Sequence, residues 1–195
     1  MNKYLLLPVV LVFAAMATAF SQTDMPSSET VLKQAYAQAG KEHKNVILIF
    51  HASWCGWCKK MEASLNDPTC KKMFDDNYVI VTLDVMEQPA KVALENPGSS
   101  DQLKKYNGDK AGLPFWVVLD AKGNLLADSY LRPTGTTAAA PINSIGCPAE
   151  DNEVAYFAKL LKATSKLTDA QLAVISTRFA QNKPAPAPKP AATPN

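Results

Sequence analysis

The chain has 195 residues, 47% of them hydrophobic and 19% charged, and 20 Lys and Arg against 18 Asp and Glu leave a net charge of +2. A balance this close to zero, with no basic stripe along the sequence, excludes the electrostatic footprint of a nucleic-acid-binding protein. The length suits one domain with a sizeable core, and not several.

Lys3 gives a short positive start, and Tyr4 to Phe20 then run apolar or small with no acid and no further base. That stretch has the length of a signal h-region with its cleavage site, and it is short for a membrane-spanning helix of roughly 20 residues. Ala17 and Ala19 fit a cut before Phe20, and Ala19 and Ser21 fit a cut before Gln22. The second is preferred, so residues 1–21 are read as a signal peptide, with an uncleaved anchor as the alternative. No Cys lies near the cut, which argues against lipid-anchored export. Loss of Lys3 with the signal takes the net charge from +2 to +1. Export places the mature chain among oxidised thiols, so its four Cys need an account.

Ser28 is the expected N-cap of a helix reaching about Glu42, with Val31, Leu32, Ala35, Tyr36 and Ala39 on one face. The run NVILIFHA is too apolar for a half-exposed strand and reads as one buried on both faces, with parallel neighbours. After it stand Ser53-Trp54-Cys55-Gly56-Trp57-Cys58 and the helix-favouring KKMEASL. Asp67 and Pro68 suit the cap and first turn of a further helix running to Asn77. YVIVTLDV is another strand, Asn96-Pro97-Gly98 breaks the chain, and Asp101 to Tyr106 makes a short helix. LPFWVVLD and NLLADSYL flank a turn at Ala121-Lys122-Gly123 that joins antiparallel strands. Arg132 to Cys147, rich in Thr, Ala, Pro and Gly, is expected as a surface loop. Two helices follow, from Glu150 to Thr164 and from Thr168 onward, the latter opened by a capping box at Thr168 and Gln171. Residues 183–195 are an extended Pro- and Ala-rich tail expected to be disordered. The order of elements gives an α/β domain over 22–182, a central mixed sheet flanked by helices.

The chemistry is concentrated at Cys55 and Cys58. A thiol at the N-terminus of a helix meets unpaired N–H groups and the positive end of the helix dipole, which stabilise the thiolate that attacks a disulfide. A second thiol one turn on can resolve the mixed disulfide. Cys55 is therefore the expected nucleophile and Cys58 the resolving residue. Half of a zinc site is the main competitor, but Cys70 and Cys147 stand alone and His43 and His51 form no paired motif, so no metal is expected. A purely structural disulfide is the other, and so small a loop constrains the unfolded chain little.

Trp54-Cys55-Gly56-Trp57-Cys58-Lys59 after an apolar strand, with Gly112-Leu113-Pro114 opening a later one, resembles the thioredoxin superfamily. The WCGWCKKME run and the later NPG…KYNG…AGLPFWVVLDAKG pattern are similar to the exported thioredoxin-like proteins of Gram-negative envelopes. The resemblance spans roughly Ser28 to Ala180, the last two helices being an extension of that group. It implies a single thioredoxin-like domain with extra C-terminal helices, acting as a thiol–disulfide oxidoreductase without a cofactor. Periplasmic location follows from it, with secretion as second choice. Its partners would be disulfide-containing proteins and a membrane-embedded thiol carrier as electron donor, with no nucleic acid, and the chain would be a monomer. The resemblance also implies a cis peptide at Pro114, with Leu113 offering its backbone to an extended substrate peptide. Trp54, Gly56, Trp57, Leu113 and Pro114 are then the substrate-contacting residues, Trp54 shielding the thiols and Trp57 adding apolar surface.

The departures are specific. Thioredoxins usually carry a buried Asp six residues before the first Cys, and here Ile49 stands there. His51 is a candidate substitute, because imidazole titrates near neutral pH and strand alternation turns it to the face of Ile49. The plainer alternative is a strand histidine satisfied by a neighbouring backbone group. Glu62, one turn after Cys58, is a second candidate for handling protons. Trp57 replaces the Pro of ordinary thioredoxin, and the intervening dipeptide tunes redox behaviour in the family, so direction stays open. Reduction or isomerisation of disulfides in exported proteins is the leading reading. A redox-independent client-binding module and a dithiol oxidase are the others. Cys70 is expected to fill the buried face of its helix, and a Cys70–Cys147 disulfide stays open.

Overall fold

A computed structural model of the chain describes residues 25–132 and 143–184. The segment expected as a signal peptide, nearly all of the expected tail and most of the Thr/Ala/Pro stretch lie outside the described residues.

Helix α1 (Ser28–Glu42) is capped by the Ser27 side chain, which accepts from the Thr30 N–H, one residue before the expected cap. Ser28 is instead buried, its own N–H donating to the Pro97 carbonyl. Strand β1 (Asn45–His51) lies in the middle of a four-stranded sheet ordered β2-β1-β3-β4. It runs parallel to β2 (Tyr78–Asp84) and antiparallel to β3 (Phe115–Leu119), which pairs antiparallel with β4 (Leu125–Asp128). One neighbour of β1 is therefore antiparallel, not both parallel as expected. An all-apolar run reports cover on both faces, and helices supply that cover whatever the direction of the neighbours.

Side-chain alternation divides the core in two. Val46, Leu48 and Phe50 face α1 through Leu32, Ala35 and Ala39. Ile47 and Ile49 face the other way, toward α2 (Gly56–Leu65), α3 (Lys71–Asn77), α5 (Asp151–Thr164) and α6 (Asp169–Ala180). Helix α3 starts four residues later than Asp67. The Asp67 carboxylate caps a turn at Thr69 instead, and Cys70 takes the cap position of the helix. A 3-10 segment, Pro89–Leu94, and α4 (Ser99–Lys105) lead from β2 to β3, Gly98 making the break with φ +82°.

The β3–β4 turn closes on Asp120, whose carboxylate accepts from the Lys122 and Asn124 N–H groups. The expected strand NLLADSYL is broken at buried Ser129, after which β5 (Tyr130–Leu131) pairs with β6 (Asn143–Ser144). The last residues of the expected surface loop are drawn inward. Ile145 and Cys147 are buried, and the Trp116 indole N–H donates to the Gly146 carbonyl at 2.8 Å. Capping boxes open α5, at Glu150 and Glu153, and α6, at Thr168 and Gln171.

Candidate functional site

Strand β1 delivers the chain into the sheet's end, and a tight turn, with the Cys55 N–H donating to the Ala52 carbonyl, starts α2. Cys55 is the N-cap of α2, and its Sγ accepts the Cys58 N–H at 3.1 Å. Cys55 and Cys58 are joined by a disulfide with their Cα atoms 5.3 Å apart. Both are almost covered, at 3% and 2% exposure, and Ala52 and Leu113 pack against them. The Leu113–Pro114 peptide is cis.

The aromatic neighbours lie outside this buried pair. Trp54 is 49% exposed and its ring N–H donates to the Met86 carbonyl, while Trp57 is 40% exposed beneath the Lys60 ammonium, 4.3 Å from the ring centroid. A Cβ at Gly56 would meet nothing within 4 Å, so that position faces open space. Gly146 approaches Pro114 from the other side with φ +49°. A groove of about 270 Å³ lies beside the pair, lined by Trp57, Leu113, Ile145 and Cys147 among others.

Behind the disulfide is a larger cleft of about 640 Å³, lined by Ile49, His51, Cys58, Met61, Glu62 and Asp84 among others. His51 Nδ1 lies 2.8 Å from Asp84 Oδ1, so its partner is a carboxylate and not the backbone group expected as the plainer case. Parallel pairing sets residues 51 and 84 opposite one another. Glu87 anchors the turn before Cys55: its carboxylate accepts from the Ser53 N–H and hydroxyl, and the backbone bond chiefly holds it below the usual carboxylate range. Asp84 and Glu87 were missed in the sequence. The only signal for Asp84 was its place at the end of YVIVTLDV, and Glu87 gave none.

Cys70 and Cys147 are free, buried thiols, not a disulfide. Cys70 donates to the Ser64 carbonyl, and the Asn182 amide donates to Cys147 Sγ at 3.4 Å. Burial pushes the Cys147 thiol up to about 12 and raises that of Cys70. Among the described residues, no group of three or more His, Cys, Asp or Glu side chains is placed to hold a metal ion, and no helix is long and apolar enough to cross a membrane.

Residues 28–121 match the model of the family described as thioredoxin-like. No curated protein matches the chain. Among solved structures it is similar to a disulphide isomerase from Xylella fastidiosa Temecula1, at 19% identity over 82% of this chain and 98% of that one, with a TM-score of 0.44. It is similar also to the DsbH oxidoreductase, at 25% identity over 72% and 83%, with a TM-score of 0.42. The C-terminal domain of DsbD from Neisseria meningitidis shares 31% identity over 53% of this chain and 84% of that one, with a TM-score of 0.39.

Proposed function

We propose that this chain is a thioredoxin-like thiol–disulfide oxidoreductase that reduces or reshuffles the disulfides of exported proteins through Cys55 and Cys58. The observation that carries the reading is the place of Cys55. Its sulfur caps α2, accepts the Cys58 N–H at 3.1 Å and is bonded to the sulfur one turn on. In the reduced protein the same donor and the helix N-terminus stabilise the Cys55 thiolate.

The thiolate attacks a substrate disulfide, the substrate's other sulfur departs, and a mixed disulfide forms on Cys55. Cys58 then attacks Cys55 Sγ, restoring the Cys55–Cys58 bond and releasing the second substrate thiol. Leu113, packed on the pair, offers backbone to an extended peptide beside Pro114, and Trp57 and Trp54 give it exposed aromatic surface. Gly56, next to Cys55 and open to solvent, lets the peptide approach. A membrane-embedded thiol carrier re-reduces the pair. Export to the periplasm, directed by residues 1–21 with their apolar run, would bring enzyme and substrates together.

Cys58→Ser removes the resolving thiol and leaves the attacking one. Expressed in a Gram-negative envelope, it is expected to accumulate disulfide-linked partners on non-reducing gels, and Cys55→Ser to accumulate none. If Cys58→Ser gathers no partners while the wild type still restores function, the exchange mechanism is wrong. Client binding that survives Cys55→Ser at unchanged affinity would make the chain a binding module.

A further inference from the structure

Cys58 is 2% exposed, and the donor that could stabilise a thiolate there, its own N–H, is turned to Cys55 Sγ. The nucleophile in the resolving step is nevertheless the thiolate, so the Cys58 proton needs an acceptor, and the cleft that Cys58 lines is where one can reach it. Ile49 and Met61, which share the cleft wall with Cys58, have no basic atom. His51 does, and it lines the same cleft.

We infer that His51, oriented by Asp84, accepts the proton of Cys58 when the mixed disulfide on Cys55 is resolved. The inference rests on the exchange reading above and assigns a residue to its second step. With Nδ1–H donating to the Asp84 carboxylate at 2.8 Å, the imidazole keeps Nε2 as its free acceptor. Asp84 is a positioning residue, itself fixed from two sides. Its N–H donates to the Asn96 side chain at 2.7 Å, and the Val85 N–H next to it donates to the His51 carbonyl at 2.8 Å. The other charged groups about the imidazole are Glu62 on α2, Glu87 in the loop after β2 with Lys91 beyond it, and Lys44, Lys71 and Asp75 along the same cleft.

The step balances without a further reagent. The Cys58 proton passes to His51 Nε2, and the thiolate attacks Cys55 Sγ. The Cys55–Cys58 bond forms as the Cys55–substrate bond breaks, and the departing substrate thiolate recovers the proton from the imidazolium. Two electrons have moved from the dithiol to the substrate.

The test is stopped-flow reaction of the reduced, full-length protein with 5,5′-dithiobis(2-nitrobenzoate). A first coloured thiolate reports attack by Cys55, and a second reports resolution by Cys58. In His51→Gln the first phase is expected to be unchanged, whereas the second slows by roughly 10²-fold at pH 7. Asp84→Asn should also slow the second phase and leave the first unchanged, because the imidazole loses the carboxylate that orients it. An unchanged second phase in a folded His51→Gln protein overturns the inference. So does equal slowing of both phases, or a second phase slowed as far by Glu62→Gln alone. If His51→Gln does not fold, Asp84→Asn decides: a slowed second phase beside an unchanged first supports the assignment, and an unchanged second phase removes it. A wild type with no first phase at all would instead overturn the exchange reading.

Discussion

At Cys55 the sulfur occupies the one position of α2 where helix donors have no carbonyl to meet, and it takes the Cys58 N–H. Cys70 and Cys147 are sulfurs of the same kind held among apolar groups, where burial raises both thiols, Cys147 to about 12, and keeps them from acting as thiolates. Environment, not residue type, separates Cys55, at its helix N-terminus, from the two buried free thiols. The same principle in reverse applies to Asp67. The Thr69 hydroxyl chiefly, then the Thr69 N–H and the Arg178 guanidinium, hold its carboxyl down to about 2. An unfolded Asp titrates near 3.9, so this group contributes stability that is present above about pH 4 and lost as the pH falls through about 2. Asp67→Asn should therefore lower Tm at pH 7 by an amount that shrinks toward pH 2, read by thermal unfolding across that range. A constant deficit would place the effect in packing instead of charge. The Cys55–Cys58 pair was legible because spacing and chain order alone specify it. The His51–Asp84 and Ser53–Glu87 pairs were not, since strand register and a loop create them across more than thirty positions of sequence.

Among the elements, α5 and α6 lie beyond the family match, which ends at residue 121, yet they complete one half of the core. Phe179 is fully buried with its ring centroid 4.9 Å from that of Phe157, which in turn stands 5.3 Å from Trp116 on β3. Phe179→Ala is expected to cost about 3–5 kcal/mol in urea unfolding. A loss under about 1 kcal/mol would mean that α6 rests on the domain without belonging to its core. These helices were readable from period and capping residues, as were β1, β2 and the β3–β4 hairpin. Strands β5 and β6 were not, because two residues carry no alternation. The stretch before Cys147 read as exposed from its composition, but the bond from Trp116 to the Gly146 carbonyl draws Ile145 and Cys147 inward. Asp67 misled for a local reason, its side chain closing a turn before the helix begins.

For the whole molecule, the sheet carries its two apolar faces to one end, where β1 gives way to α2 and the disulfide lies between two openings. The groove by Leu113 and Trp57 is where the proposed substrate peptide would lie, and the cleft by His51 and Asp84 is where the proposed proton transfer would take place. Both follow from the proposal that Cys55 and Cys58 cycle between dithiol and disulfide to reduce or reshuffle client disulfides. The most direct test is the reduction potential of the mature protein, equilibrated in thiol buffers with the state of each Cys read by mass. The account predicts a reversible two-electron couple confined to Cys55 and Cys58, near thioredoxin's value of about −270 mV. A couple near −120 mV would make the protein an oxidant, and no reversible couple between those values would contradict the account outright.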